Sequence, residues 1–283
     1  MHFHFPFTTV EVLWTLTFAA QLVLLVVLLG RERMRRFPWF TASIVILALR
    51  ALSARVLFHR LPELTFSIVF LTLADVGLVL GLLVLLEMAR VGFRGVRRPV
   101  WIATTLVALA IAGVVLAYWG AWPAWKTLTA NSRVAVLLFM QLAAQKGQLL
   151  LGVLSVELGI LVVLFGRRYH AGWRTHVQRI VVGLSTAAMA ELAVSGIWEI
   201  IVKHVVPKSR EQYEHILDLR DKITNANSAI YLVVLIWWIA CLWMDEPGAA
   251  KSAETLPPVK KTFVETPTDT VAASEASPGN QPS

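Results

Sequence analysis

The sequence predicts an all-α polytopic membrane protein, a bundle of seven transmembrane helices. Of its 283 residues, 57% are hydrophobic and only 16% are charged, whereas a soluble domain has about 25% charged residues. The apolar residues come in uninterrupted runs of about 20, the length of helix that crosses a hydrocarbon core of roughly 30 Å. These two observations exclude a single soluble domain.

Seven apolar runs are the candidate spans. In chain order they cover residues 10–29, 40–58, 66–88, 100–119, 145–165, 180–202 and 223–244. No Lys or Arg precedes the first run and an arginine-rich block follows it, so we expect a stop-transfer span rather than a cleaved signal peptide. The fifth run belongs to an apolar segment, 134–165, that is too long for one crossing. Its first part, with Gln141 and Gln145, is expected to project from the bilayer or to lie in its interface.

Two connecting segments have patterns of their own. The loop after the fourth span carries three tryptophans, whose spacing and depth predict an aromatic belt, with a ligand-binding cage as the alternative: Trp119, Trp122 and Trp125. In the 203–222 loop, Ser209 and Gln212 form an S-x-x-Q capping box. This box predicts a short amphipathic helix that covers one end of the bundle.

The distribution of basic residues predicts the orientation. Fifteen Lys and Arg lie in the loops 30–39, 89–99 and 166–179 and in the tail, against eight in the segments on the other side, of which five are in the 203–222 loop. Basic loops remain in the cytoplasm. We therefore expect the N-terminus outside and the C-terminus in the cytoplasm of a cell inner membrane, and we assign the net charge of +8 to this orientation rather than to nucleic-acid binding. Residues 1–244 form the transmembrane domain. Residues 245–283 are rich in Pro, Ser, Thr, Ala and Glu, which predicts a disordered cytoplasmic tail.

Four ionisable residues inside the spans are the candidate functional site, because a charge in hydrocarbon is costly. Arg50, Asp75 and Glu191 lie about halfway along spans two, three and six, so one polar layer is able to hold all three. Glu157 lies somewhat nearer the cytoplasm. An ion-pair network that fixes helix packing and a functional polar site both remain open interpretations.

Polar and small residues also fall on single helix faces. In the fifth span a stripe at spacings of three and four favours close helix packing, with a polar pathway as the alternative: Gln141, Gln145, Gln148, Gly152, Ser155 and Gly159. Faces of spans six and seven are expected to line the upper half of an interior cavity, or else to fill the bundle: Ser195, Trp198, Asn227 and Tyr231.

Several classes of membrane enzyme are excluded by missing residues. None of the seven His lies near the middle of a span, whereas membrane zinc hydrolases, b-type haem bundles and di-iron bundles need buried His ligands. The last span has no lysine inside it for a retinal Schiff base, and Asp75 is the only aspartate within the spans, which excludes an aspartyl dyad. We expect no catalytic residues, no metal and no cofactor.

The blocks Phe37-Pro38-Trp39-Phe40 and Glu87-Met88-Ala89-Arg90 resemble motifs of a group of uncharacterised multi-spanning bacterial membrane proteins. The layout of residues 1–246 is also remotely similar to the seven-helix sensor regions that precede histidine kinases. The resemblance implies a membrane-embedded sensor and transfers no catalytic residues. Because the kinase part is missing from this sequence, the output is expected to pass through partner proteins or the tail.

Three functions remain as hypotheses. The leading one is a sensor or receptor with an outward-facing cavity and a polar intramembrane site, in contact with the lipid bilayer, a small-molecule ligand and a membrane protein partner. The second is a proton-coupled transporter or permease, in which Asp75 or Glu191 alternates between charged and neutral states. The third is a structural membrane subunit.

Overall fold

The computed structural model describes residues 8–57, 60–93, 98–119, 122, 133–168, 175–204 and 209–245. These ranges contain helices and no strand, and seven of the helices are long and apolar enough to span a membrane, as predicted. In chain order they are α1 (Thr9–Gly30), α2 (Pro38–Val56), α3 (Glu63–Gly92), α4 (Arg98–Tyr118), α5 (Arg133–Arg168), α6 (His176–His204) and α7 (Arg210–Trp243). Trp125 and nearly all of the predicted tail lie outside the described residues.

The last helix differs from the prediction for the 203–222 loop. Ser209 caps a helix as expected, since its hydroxyl oxygen accepts the N–H of Gln212 at 3.2 Å. The predicted short helix is nevertheless not a separate element, because α7 runs without a break from Arg210 to Trp243. No Pro or Gly interrupts these 34 residues, so nothing stops the helix between the amphipathic turn and the apolar run.

Six of the helices form a closed ring. Going round it, α1 packs against α2, α2 against α3, α3 against α5, α5 against α6, α6 against α7, and α7 against α1. Helix α4 stands outside the ring and, among the described helices, packs only against α5.

The hydrophobic core fills the inside of the ring at one end of the six helices, which we call the closed end. Its members lie at the end of α1, the start of α2, the end of α3, the end of α5, the start of α6 and the end of α7. At its centre the rings of Phe40 and Trp238 meet edge to face with centroids 5.2 Å apart, and the Trp238 indole donates to the carbonyl of Ile180 at 3.3 Å. Large side chains therefore fill the closed end of the ring.

Small residues of the stripe on the fifth span, Gly152, Ser155 and Gly159, draw α5 and α6 together, as the packing interpretation predicts. The three glutamines of the same stripe instead line a cavity at the other end of the bundle: Gln141, Gln145 and Gln148. The Ser185 hydroxyl on α6 donates to the carbonyl of Ser155 on α5 at 2.8 Å. A Cβ atom added at Gly159 would collide with Ser185, and one at Gly152 would lie 3.2 Å from Leu192. Without side chains at these two positions the backbones approach closely.

Two arginines tie the basic loops to the closed end. Arg33, just after α1, donates to the carbonyls of Leu242 at 3.2 Å and Met244 at 3.1 Å. Arg179 of α6 donates to the carbonyl of Cys241 at 3.2 Å. The final carbonyls of a helix have no partner within the helix, so these guanidinium groups satisfy the end of α7 and fix its position.

Candidate functional site

The opposite end of the ring, which we call the open end, contains a large groove. Its volume is about 930 Å³, and its walls come mainly from α3, α5 and α6, with one residue from α2. The side chains of its apolar walls include Phe66, Phe70, Leu71, Leu137, Leu149 and Leu192. Ligand sites of drug-sized molecules have volumes of about 300–1,000 Å³, so the groove is large enough for such a ligand.

Arg50 is the residue that α2 contributes to the groove. It is half-buried, and its guanidinium carbon lies 4.5 Å from the centroid of the Phe70 ring on α3. This is the distance of a cation–π contact, which stabilises the charge without using the N–H donors that lie in the guanidinium plane. Among the residues that the structure describes, the Arg50 side chain is thus held by Phe70 on one side.

Glu191 lies on the opposite wall, on α6. Its Oε1 accepts a hydrogen bond of 2.8 Å from the side-chain amide of Gln148 on α5. The charges of Arg50 and Glu191 are near enough to interact across the groove, but the described residues show no direct ion pair between them. Opposite charges therefore face one cavity without neutralising each other by contact.

Asp75 does not share this site. Its neighbour Ala74 lines the groove and Asp75 does not, because successive residues of a helix point about 100° apart. Position along the span predicts depth, but rotation about the helix axis separates Asp75 from Arg50 and Glu191.

Glu157 is also outside the groove. It lies three turns along α5 from Lys146 and on the same helix face, and the Lys146 amino group contacts the end of α4. Glu157 therefore lies on the side of α5 that bears α4. Both of its carboxylate oxygens are buried without a hydrogen-bond partner among the described residues.

The residues predicted to line a cavity divide between two places. Ser195 and Trp198 of α6 line the groove. Asn227 and Tyr231 of α7 do not, and the Tyr231 hydroxyl instead accepts a hydrogen bond of 3.5 Å from the side chain of Gln21 on α1. Since α7 packs between α6 and α1 in the ring, its polar face meets α1 rather than the groove.

Lys146 has a structural role that the sequence did not indicate. Its amino group donates to the carbonyls of Leu116, at 2.9 Å, and Trp119, and lies 4.5 Å from the centroid of the Trp122 ring. A cation at the end of a helix satisfies its last carbonyls and favours its dipole. Lys146 therefore holds the open end of α4, and it contacts two of the three predicted belt tryptophans, Trp119 through its carbonyl and Trp122 through its ring.

The remaining charged pair of the groove is neutralised locally. Lys203 contacts Glu199 one turn earlier at 2.7 Å, as their spacing of four predicts. Among the described residues no group of three His, Cys, Asp or Glu side chains is placed to hold a metal ion. The groove therefore has two features of a binding site: the charges of Arg50 and Glu191, which form no direct ion pair in the described part of the chain, and apolar walls.

Comparison of this chain with protein-family models, with curated proteins and with solved structures finds no match.

Proposed function

We propose that the chain is a seven-span protein of a bacterial inner membrane, with its N-terminus outside and its C-terminus in the cytoplasm. The basic loops support this orientation, because Arg33 and Arg179 lie at the closed end of the ring and basic loops stay in the cytoplasm. In this orientation the groove opens to the outside.

On this basis the protein is a receptor or sensor that binds a small molecule in the groove. The observation that carries the proposal is the pair Arg50 and Glu191, two costly charges that face one cavity without direct contact. A purely structural subunit would gain stability by joining them or by replacing them with apolar residues. A signal from the groove would reach the cytoplasm through partner proteins or the tail.

A proton-coupled transporter is the second candidate, and one observation favours it. Glu191 is a titratable group that lines the groove and accepts a hydrogen bond from Gln148. A carboxylate that carries protons needs such access to a cavity. Against it, large side chains fill the closed end, so transport would require the core to open. Proteoliposomes that contain a pH-sensitive dye separate the two, because only a transporter acidifies the lumen when an amino-acid mixture is added outside.

Labelling with a membrane-impermeant maleimide tests both orientation and groove. The single native cysteine, Cys241, is buried and gives little background. In intact cells with a permeabilised outer membrane, the Ser195→Cys variant should be labelled from outside. The matched Ala188→Cys variant, two turns away on α6 and buried, should stay unlabelled.

The Met34→Cys variant completes this test, since Met34 is exposed beside the closed end. It should react only after the inner membrane is opened. Labelling of this variant in intact cells, with none at Ser195→Cys, would reverse the proposed orientation.

A further inference from the structure

We infer that the groove takes a zwitterion, a molecule with an ammonium group and a phosphate or carboxylate, that also carries an apolar body. This rests on the proposed function and specifies the ligand class for the same groove. Two sources supply such chemistry. One is a lipid with an ethanolamine phosphate headgroup, and the other is a free amino acid with an apolar side chain.

The two charges each retain capacity for a ligand. Arg50 has five N–H donors, and in the described part of the chain its contact is with the face of the Phe70 ring. A planar guanidinium binds phosphate or carboxylate through paired hydrogen bonds. Glu191 uses Oε1 to accept from Gln148, which leaves Oε2 to accept from an ammonium group.

Other charges along the groove are already engaged. Lys146 is held by the carbonyls at the end of α4, and Lys203 is paired with Glu199. Arg50 and Glu191 are thus the pair, within the ranges the structure describes, that is left to contact a ligand.

The balance of charge favours a zwitterion over a simple ion. An anion would bind Arg50 and meet repulsion from Glu191, and a cation would meet the reverse. In a partly desolvated groove an uncompensated charge is costly. A zwitterion neutralises both side chains, and the apolar walls then receive its apolar body, as burial of apolar surface is favourable.

The test uses the purified full chain in a nonionic detergent and follows tryptophan fluorescence, since Trp119 and Trp198 line the groove. Phosphatidylethanolamine in mixed micelles is titrated against phosphatidylglycerol, an anionic lipid without an ammonium group. L-leucine forms the soluble arm. Variants Arg50→Gln and Glu191→Gln remove one charge each, and Asp75→Asn is the control, since this carboxylate on α3 does not line the groove.

We expect saturable binding of phosphatidylethanolamine or of leucine, and the arm that responds names the source. Each charge-removing variant should weaken it by about tenfold or more, the loss typical of a hydrogen bond to a charged group. Asp75→Asn should bind as the native chain does. Gel filtration identifies a variant that fails to fold, and Arg50→Lys, which keeps the charge, then replaces Arg50→Gln and should bind better than Arg50→Leu.

The inference is overturned if neither zwitterion binds, if phosphatidylglycerol binds as tightly as the zwitterion that responds, or if the charge-removing variants bind that zwitterion as tightly as the native chain. The receptor proposal survives these results if the maleimide labels Ser195→Cys from outside and if one of the added lipids or leucine reduces that labelling. Failure of that labelling removes the receptor proposal as well.

Discussion

The carboxylate of Glu87 on α3 accepts a hydrogen bond of 3.2 Å from the backbone N–H of Phe40 in the first turn of α2. The first N–H groups of a helix have no partner within the helix, and a negative charge there is favourable. Phe37, at the N-cap, supplies no side-chain hydrogen bond, so a neighbouring helix provides the cap. The sequence blocks Phe37-Pro38-Trp39-Phe40 and Glu87-Met88-Ala89-Arg90 thus meet at the closed end.

This relationship predicts that Glu87→Ala destabilises the protein by about 1–2 kcal/mol, the value of a lost helix cap. Glu87→Gln should lose less, because an amide oxygen still accepts from the N–H of Phe40. Thermal unfolding in detergent measures both. Glu214→Gln, which removes an exposed ion pair on α7, is the control and should lose less than either. Equal stability of Glu87→Ala and the control would contradict the cap.

A second prediction compares two glycines. A Cβ atom at Gly183 would collide with the Trp238 indole, a rigid ring that is packed against Phe40 in the sealed core. Gly183→Ala should therefore destabilise the protein by about 1–3 kcal/mol, as overpacking does. Gly113 on α4 has nothing within 4 Å of the same atom, so Gly113→Ala should be neutral or stabilising. Thermal unfolding of the two variants checks the difference, and a loss at Gly113 equal to that at Gly183 would count against the packing described.

The helices were predictable from the sequence because apolar runs and chain length determine them. Their rotation and neighbours were not. Arg50 and Asp75 were predicted to share one polar layer, yet the rotation between two successive residues, Ala74 and Asp75, decides which side chain enters the groove. The face of α7 with Tyr231 was predicted to line a cavity, but its partner depends on the order of helices around the ring.

Long side chains were the other source of error. The side chain of Lys146 in span five reaches the last carbonyls of α4. Glu87 belongs to one of the two sequence blocks and caps a helix 47 residues earlier in the chain. Both contacts join residues on different helices, so no local spacing in the sequence reveals them.

The cap by Lys146 gives a third prediction, on the dynamics of α4. Because α4 packs against a single neighbour among the described helices, its open end depends on this contact. Lys146→Met should make the amides of the last turn of α4 exchange with deuterium about tenfold faster, the effect of losing about 1.4 kcal/mol of local stability. Hydrogen exchange with mass spectrometry measures this. Lys203→Met, which breaks only an exposed pair within α6, should leave that exchange unchanged, and equal acceleration by both variants would contradict the cap.

Arg50 and Glu191 are not expected to stabilise the fold through an ion pair with each other. Residues in contact show coupling energies of about 0.5–3 kcal/mol in double-mutant cycles. Gln148 and Glu191 share a hydrogen bond of 2.8 Å, so the cycle of Gln148→Leu with Glu191→Leu should fall in that range. The cycle of Arg50→Leu with Glu191→Leu should give a smaller coupling energy than the Gln148 cycle, since these two charges interact across the groove without a direct ion pair. Thermal unfolding of the singles and doubles in detergent measures both. Strong coupling of Arg50 with Glu191 would mean that the charges stabilise the fold together, and the groove would lose the two free charges on which its proposed ligand depends.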